Sequence, residues 1–371
     1  MAEYSRIVKQ FIDLVKIDSE SGHERAIADY LLNLFKSLGL EAYEDNTAEV
    51  TGHLAGNIIA KLPGNKNITP IFFTSHMDTV VPGKSIEPMI KDGYIYSSGS
   101  TILGADDKAG IAGIIEAIQQ IKEENVEHGH IYFVITSGEE SGLVGSNAFN
   151  EDLPVKYGFA LDSDGEVGTI ITAAPSQAKI TFVLKGKSAH AGVNPEKGIS
   201  AITMAAKAVS KMPLGRIDEE TTANIGSFEG KGPTNIVCDQ VTIQAEARSL
   251  NQEKLEKQIK RMEKAVHEVA EKMGGEAEIN IKHMYHAFHF SQDDIVVKTA
   301  TKAVQRLGRK PELLPSGGGS DANHFNHKGI PTINLGVGYE YIHTTSERIA
   351  IQELELIPNL IKEIIQEASS K

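Results

Sequence analysis

Several short stretches of this chain carry imidazole and carboxylate side chains at spacings that suit a metal ion. In Phe73-Thr74-Ser75-His76-Met77-Asp78-Thr79-Val80, His76 and Asp78 lie two residues apart in an extended segment and project to the same side. Asp78 can therefore accept a hydrogen bond from the ring nitrogen that His76 does not use on a metal. Gly104-Ala105-Asp106-Asp107-Lys108-Ala109-Gly110 opens a helix, and its adjacent carboxylates would repel a phosphate but suit a cation. In Thr136-Ser137-Gly138-Glu139-Glu140-Ser141-Gly142 the two Glu side chains differ in orientation by a large rotation, so one can ligate an ion while the other takes a proton from a water. Asp162, after Tyr157-Gly158-Phe159-Ala160-Leu161, and His343, in Tyr339-Glu340-Tyr341-Ile342-His343-Thr344-Thr345, complete the set. Each alone reads equally well as a helix cap, a core contact or a turn. Together they gather beyond predicted strands, where open α/β sheets assemble their sites.

The elements that must position these residues are legible in the apolar pattern. Ile7, Val8, Phe11, Leu14 and Val15 recur at helical spacing, as do Ala26, Ile27, Tyr30, Leu31 and Leu34. Asn57 to Leu62, Pro70 to Thr74, His130 to Thr136 and Gly158 to Leu161 read as short buried strands. Between them Ile111, Ile114, Ile115, Ile118 and Ile121 stripe a helix from Lys108 to about Glu123. This order predicts an α/β domain with a mostly parallel sheet covered by helices. After Pro175 the style changes: alternating strands at Lys179 to Gly186, Val241 to Ala247 and Glu276 to Met284 are interleaved with helices at Ser200 to Met212 and Gln252 to Met273. A smaller α+β domain is thus expected over 176–288, inserted into a catalytic domain formed by 1–175 and 289–371. The last part holds a helix near Asp293 to Leu307, the turn Gly317-Gly318-Gly319, the strand Pro331 to Gly336 and a final helix.

Composition narrows the chemistry. The 371 residues are 40% hydrophobic and 23% charged, and 37 Lys plus Arg against 50 Asp plus Glu give a formal net charge of −13, which argues against a nucleic-acid or anionic-membrane partner. The single cysteine, Cys238, excludes an intrachain disulfide and a Cys-rich metal site, leaving His and carboxylate as ligands. Met1-Ala2-Glu3-Tyr4-Ser5-Arg6 shows no apolar run with a cleavage site, and no stretch of about 18 uncharged apolar residues occurs, so a cytoplasmic location is expected.

Read in order, Ser75-His76-Met77-Asp78-Thr79-Val80, Gly104 to Gly110, Gly138-Glu139-Glu140, Asp162, Gly318-Gly319-Ser320-Asp321 and His343 resemble the dizinc exopeptidase and deacylase superfamily that includes peptidase T, glutamate carboxypeptidase and acetylornithine deacetylase. The resemblance runs from about residue 70 to the C-terminus. It implies two zinc ions bridged by Asp106, with His76 and Asp162 completing one site and Glu140 and His343 the other. Cobalt or manganese would suit the same ligands. Glu139 is then the general base. The local sequence does not decide between Asp106 and Asp107; the family pattern favours the first, followed by a cis peptide.

The resemblance extends into the insert. His190, in Gly186-Lys187-Ser188-Ala189-His190-Ala191-Gly192, resembles the family histidine that stabilises the oxyanion, often in a neighbouring subunit. Asn235 and Arg248 look like lid residues that hold substrate, Arg248 being suited to a bidentate grip on a carboxylate. Gly318 and Ser320 are further substrate-binding candidates, and a homodimer through the insert is implied. The pattern is closest to the peptidase T-like branch, which implies a tripeptide aminopeptidase. Gly317, however, stands where peptidase T carries Arg, a form that also resembles the carboxypeptidase branch. A carboxypeptidase or an N-acyl-amino-acid deacylase is therefore the alternative, and a catalytically silent peptide binder a further one. His283, His286 and His289, and His324 and His327, recur at three-residue spacing without suitable carboxylate partners; the first three are read as strand and domain-boundary residues, the other two as helix surface or packing.

Overall fold

The computed structural model describes residues 4–370, so Met1, Ala2 and Glu3, part of the N-terminal stretch read above, lie outside the described residues. The chain divides into two compact units. One gathers the residues to Ala173, Phe290–Ser316 and those from Ser320 onward; the other comprises Ala174–His289 and Gly317–Gly319.

The first unit is built on a mixed sheet. Its strands run in the order Glu41–Glu44, Ile58–Leu62, Ile131–Thr136, Ile71–His76, Tyr157–Ser163, Thr332–Gly336 and Thr169–Ala174, with Glu312–Pro315 beside the last. The central four are parallel, whereas Ile58–Leu62 and Thr169–Ala174 pair antiparallel with their inner neighbours. Ile71–His76 is buried at every position, the mark of a strand covered on both faces. Its alternation separates two layers. Phe73 stacks on Phe133 and Phe159 on one face, while Phe72 meets Phe325 on the other.

Helix Ala105–Glu124 buries its isoleucine stripe among the helices Arg6–Val15 and Ile351–Ser369. Its regular part begins at the predicted Lys108; the preceding Asp106 and Asp107 have backbone angles that are not helical, and the peptide between them is cis. A four-stranded antiparallel sheet of Met89–Lys91, Tyr94–Tyr96, Arg348–Ala350 and Tyr339–Glu340 has no counterpart in the sequence reading, since strands of two or three residues show no period. Among the described residues no helix is long and apolar enough to cross a membrane.

The second unit is an antiparallel sheet in the order Gly215–Arg216, Thr221–Glu229, Gln240–Ser249, Ser176–Lys185 and Glu276–Tyr285. Helices Ala201–Val209 and Gln252–Met273 share a core with Ile180, Phe182 and Ile243. Ser200 and Asn251 cap the helices by accepting from the backbone N–H of Thr203 and Lys254. The strands Gly215–Arg216 and Thr221–Glu229 have no counterpart in the sequence pattern.

Candidate metal centre

Strand register brings the first ligand candidates level. Thr74 pairs with Ala160 and His76 with Thr136, so His76, the turn after Thr136 and Asp162 emerge at the same C-terminal edge of the parallel strands. The Asp106 carboxylate lies between two imidazoles. Its Oδ1 is 3.1 Å from His76 Nε2 and its Oδ2 is 3.4 Å from His343 Nε2. Asp162 Oδ1 stands 3.6 Å from the same His76 nitrogen, and Glu140 Oε1 is 2.9 Å from His343 Nε2. The candidate ligand atoms of His76, Asp106 and Asp162 all lie within 4.8 Å of one another, and so do those of Asp106, Glu140 and His343. A third such group, His76 with Glu139 and Glu140, overlaps both.

Asp106 and Asp107 have separate duties, a distinction that the local sequence leaves open. Asp107 accepts from the Ser75 hydroxyl and from the backbone N–H of His76 (3.2 Å) and Gly110 (3.3 Å), so its oxygens are spent on strand and helix. Asp106 is left facing the imidazoles. Asp78 sits behind His76, 3.4 Å from Nδ1, and accepts from the backbone N–H of Glu139 (2.9 Å) and Glu140 (3.1 Å) and from the Ser21 hydroxyl (2.6 Å). His76 Nδ1 also lies 3.0 Å from the Asp78 backbone carbonyl, so this one residue orients a histidine and, through its carboxylate, the Glu-Glu turn.

Other residues hold this site without appearing among the predicted ones. Glu347 is buried and accepts from the backbone N–H of Leu103 (2.7 Å), Gly104 (2.8 Å) and Asp106 (2.9 Å). Tyr339 Oη donates to Asp162 Oδ1 at 3.0 Å. Asn57 is fully buried; its Oδ1 accepts from Ser137 N–H (3.1 Å) and its Nδ2 donates to the Gly145 carbonyl (3.1 Å), closing the loop that carries Glu139 and Glu140. Glu347 had one signal in sequence, its place four residues beyond His343 in the same turn. Asn57 and Tyr339 had none beyond lying at strand ends.

The electrostatics are those of an overcrowded acid cluster. Burial, with the Asp162 charge added, raises the Glu139 carboxyl well above its ordinary range. Burial also raises Asp162 to about 7, against the opposing pull of His76. His343 is raised to about 10 by its hydrogen bonds to Asp106 and Glu140, and His76 is held well above its usual value by Asp162, Asp106 and Asp78 despite its burial. A divalent cation would relieve this crowding, and a set of two imidazoles and several carboxylates fits zinc-type chemistry.

The remaining candidates belong to the second unit or its border. The backbone of His190 bridges Ile236, and Ala191 N–H donates to the Asn235 carbonyl at 2.8 Å, so His190 and Asn235 are neighbours. Arg248 is held by Glu246 at 3.0 Å and also reaches the Gly317 carbonyl, next to Gly318, at 3.4 Å. Ser320 caps the helix Asp321–His327 in a reciprocal box with Asn323. That helix carries His324 and His327. His283 lies on the strand Glu276–Tyr285, 3.8 Å from Glu256.

The profile of Peptidase family M20/M25/M40 matches residues 72–367. The chain belongs to that family. Within it, the uncharacterized protein YqjE of Bacillus subtilis (strain 168) is 55% identical over 370 residues, covering 100% of both chains. Peptidase T of Geobacillus sp. (strain WCH70) is 26% identical over 417 residues, 98% of each. The crystal structure of aminopeptidase PepT from Bacillus cereus ATCC 10987 shares 56% identity, covers 98% of both chains and superposes with a TM-score of 0.93. That of a tripeptidase from Staphylococcus aureus subsp. aureus Mu50 shares 45% identity over 99% of this chain and 98% of that one, with a TM-score of 0.96. Membership in M20/M25/M40 makes the chain a metal-dependent hydrolase of the peptidase class, and the mixed α/β fold is that of the family.

Proposed function

We propose that the chain is a peptidase T-like aminopeptidase that removes the N-terminal residue from short peptides, using two divalent ions of which zinc suits the ligands best. The observation that carries this reading is the Asp106 carboxylate, whose two oxygens face His76 on one side and His343 on the other. One ion would be held by His76, Asp106 and Asp162, and the other by Asp106, Glu140 and His343. Such ions, when bound, would supply the Lewis acidity that lowers the pKa of a water and polarises the scissile carbonyl. Glu139 takes the proton of the attacking water and delivers it to the leaving amine, a role suited to a buried carboxylate with a raised proton affinity. Asp78 keeps His76 and the Glu139 turn in register. His190 stabilises the oxyanion, and Asn235, Arg248, Gly318 and Ser320 bind substrate. Residues 176–288 form an inserted lid through which two copies pair, and the enzyme works in the cytoplasm. The names of the full-length relatives, an aminopeptidase PepT and a tripeptidase, favour peptides over N-acyl amino acids as substrates.

The deciding experiment is hydrolysis of Ala-Ala-Ala, its N-acetylated and C-amidated forms and N-acetyl-alanine by metal-loaded protein, beside Glu139→Ala. The aminopeptidase reading expects activity lost on acetylation and kept on amidation. The reverse pattern means a carboxypeptidase, cleavage of N-acetyl-alanine alone a deacylase, and no turnover a binding protein.

A further inference from the structure

A polar pair lies beneath the Glu-Glu turn and takes no part in the chemistry described so far. The Glu24 side chain is fully buried, and its Oε1 is 3.1 Å from His53 Nδ1 and accepts from Gly22 N–H at 2.7 Å. Its Oε2 is buried with no hydrogen-bond donor among the described residues. A carboxylate in that state is costly to bury, and an apolar side chain would fill the same space without the cost. The arrangement is explained by what His53 touches. Gly138, with φ +63°, lies on the imidazole, and a β-carbon there would stand 2.3 Å from His53 Cε1. The next residue is Glu139.

The same N-terminal segment reaches the turn by a second route, since the Ser21 hydroxyl donates to Asp78, which receives the N–H groups of Glu139 and Glu140. Leu54 N–H donates to the Gly22 carbonyl at 3.2 Å, tying the His53 segment to this one. Ser21, Gly22, Glu24, His53 and Leu54 all precede residue 72, where the family match begins.

We infer that His53, held in orientation by Glu24, is a positioning residue for the general base: its ring is the platform on which the Gly138-Glu139 peptide rests, and it sets the direction in which the Glu139 carboxylate points. Among the described residues His53 does not belong to any of the candidate ligand groups. The inference rests on the hydrolase reading above, in which Glu139 moves the proton. A misdirected base affects the chemical step and leaves substrate binding intact, so the signature is in kcat and not in KM.

The test is steady-state peptide hydrolysis by the metal-loaded parent, His53→Ala, His53→Asn, Glu24→Gln and Glu139→Ala, with metal content and melting temperature measured on each. His53→Ala lowers kcat about 10- to 100-fold, the scale of a small misplacement of a catalytic group, with KM and metal content unchanged. His53→Asn, which keeps an N–H near the position of Nδ1, recovers part of that loss, and Glu24→Gln falls between the two. A kcat for His53→Ala within twofold of the parent overturns the inference, as does a loss that tracks bound metal or melting temperature equally in the Ala and Asn variants. If the parent hydrolyses peptide and Glu139→Ala does not while His53→Ala matches the parent, this inference alone fails. An inactive parent overturns the hydrolase reading and this one with it.

Discussion

Asp106 divides its carboxylate between two histidines that are 267 residues apart in sequence, His76 at 3.1 Å from one oxygen and His343 at 3.4 Å from the other. The consequence is an asymmetry among the ligands. Replacing Asp106 by Ala removes a ligand from both ion sites, whereas replacing Asp162 by Ala removes one from a single site. Elemental analysis after dialysis is expected to show the Asp106 variant with less than one ion per chain and the Asp162 variant retaining one. Equal retention by the two would contradict the bridging arrangement.

Asp78 acts through His76 and two backbone N–H groups, and it does not itself belong to the ligand groups. Asp78→Asn keeps the shape but loses charge and one acceptor position. Metal affinity is expected to fall about 10- to 100-fold, as for other carboxylates behind a ligating histidine, with the fold retained. Competition with a chelator of known affinity, with circular dichroism as control, measures both.

Glu347 gathers three backbone donors from the segment that opens on Asp106. Glu347→Gln offers one acceptor oxygen where two were used, leaving a buried N–H without a partner, at a cost of about 1–3 kcal/mol. Denaturant unfolding of the metal-free protein is expected to show that loss. An unchanged midpoint would mean that the segment holds its shape without Glu347.

The ligand candidates are legible in the sequence and their supports are not, for a physical reason. His76 and Asp162 stand at the C-terminal ends of buried strands, Glu139 follows a third, and Asp106 opens an apolar-striped helix, so local pattern marks the spot. Glu347, Asn57 and the Glu24–His53 pair act on backbone N–H groups or on a glycine supplied by distant parts of the chain. Such contacts carry no period and no motif. The fold divides in the same way: the long strands and helices announce themselves, while Tyr94–Tyr96 and Arg348–Ala350 are held by pairing with each other and with one further short strand each. Arg348 adds to that pairing by lying over the Tyr94 ring, 4.4 Å from its centroid.

A pH effect separates from the metal chemistry at Glu44. Its carboxylate accepts from both terminal nitrogens of Arg25 and from Gly56 N–H, and these contacts outweigh burial and lower its pKa below the ordinary value. With the folded pKa depressed, the unfolded chain binds more protons in the window between the two values, so the contribution to stability is present above the unfolded value of about 4.3 and fades as pH falls through the folded one. The difference in melting temperature between parent and Glu44→Gln is therefore expected to be full at neutral pH and to close on acidification into that window. A gap that widens in acid would contradict the assignment.

The most direct test of the central claim is a titration of the metal-stripped protein with zinc while the initial rate of Ala-Ala-Ala hydrolysis is followed. Stripped protein is predicted to be inactive, and the rate to reach its plateau only when two equivalents are bound. A plateau at one equivalent would contradict the paired-ion site, and hydrolysis by stripped protein at the full rate would contradict metal-dependent catalysis at Asp106 altogether.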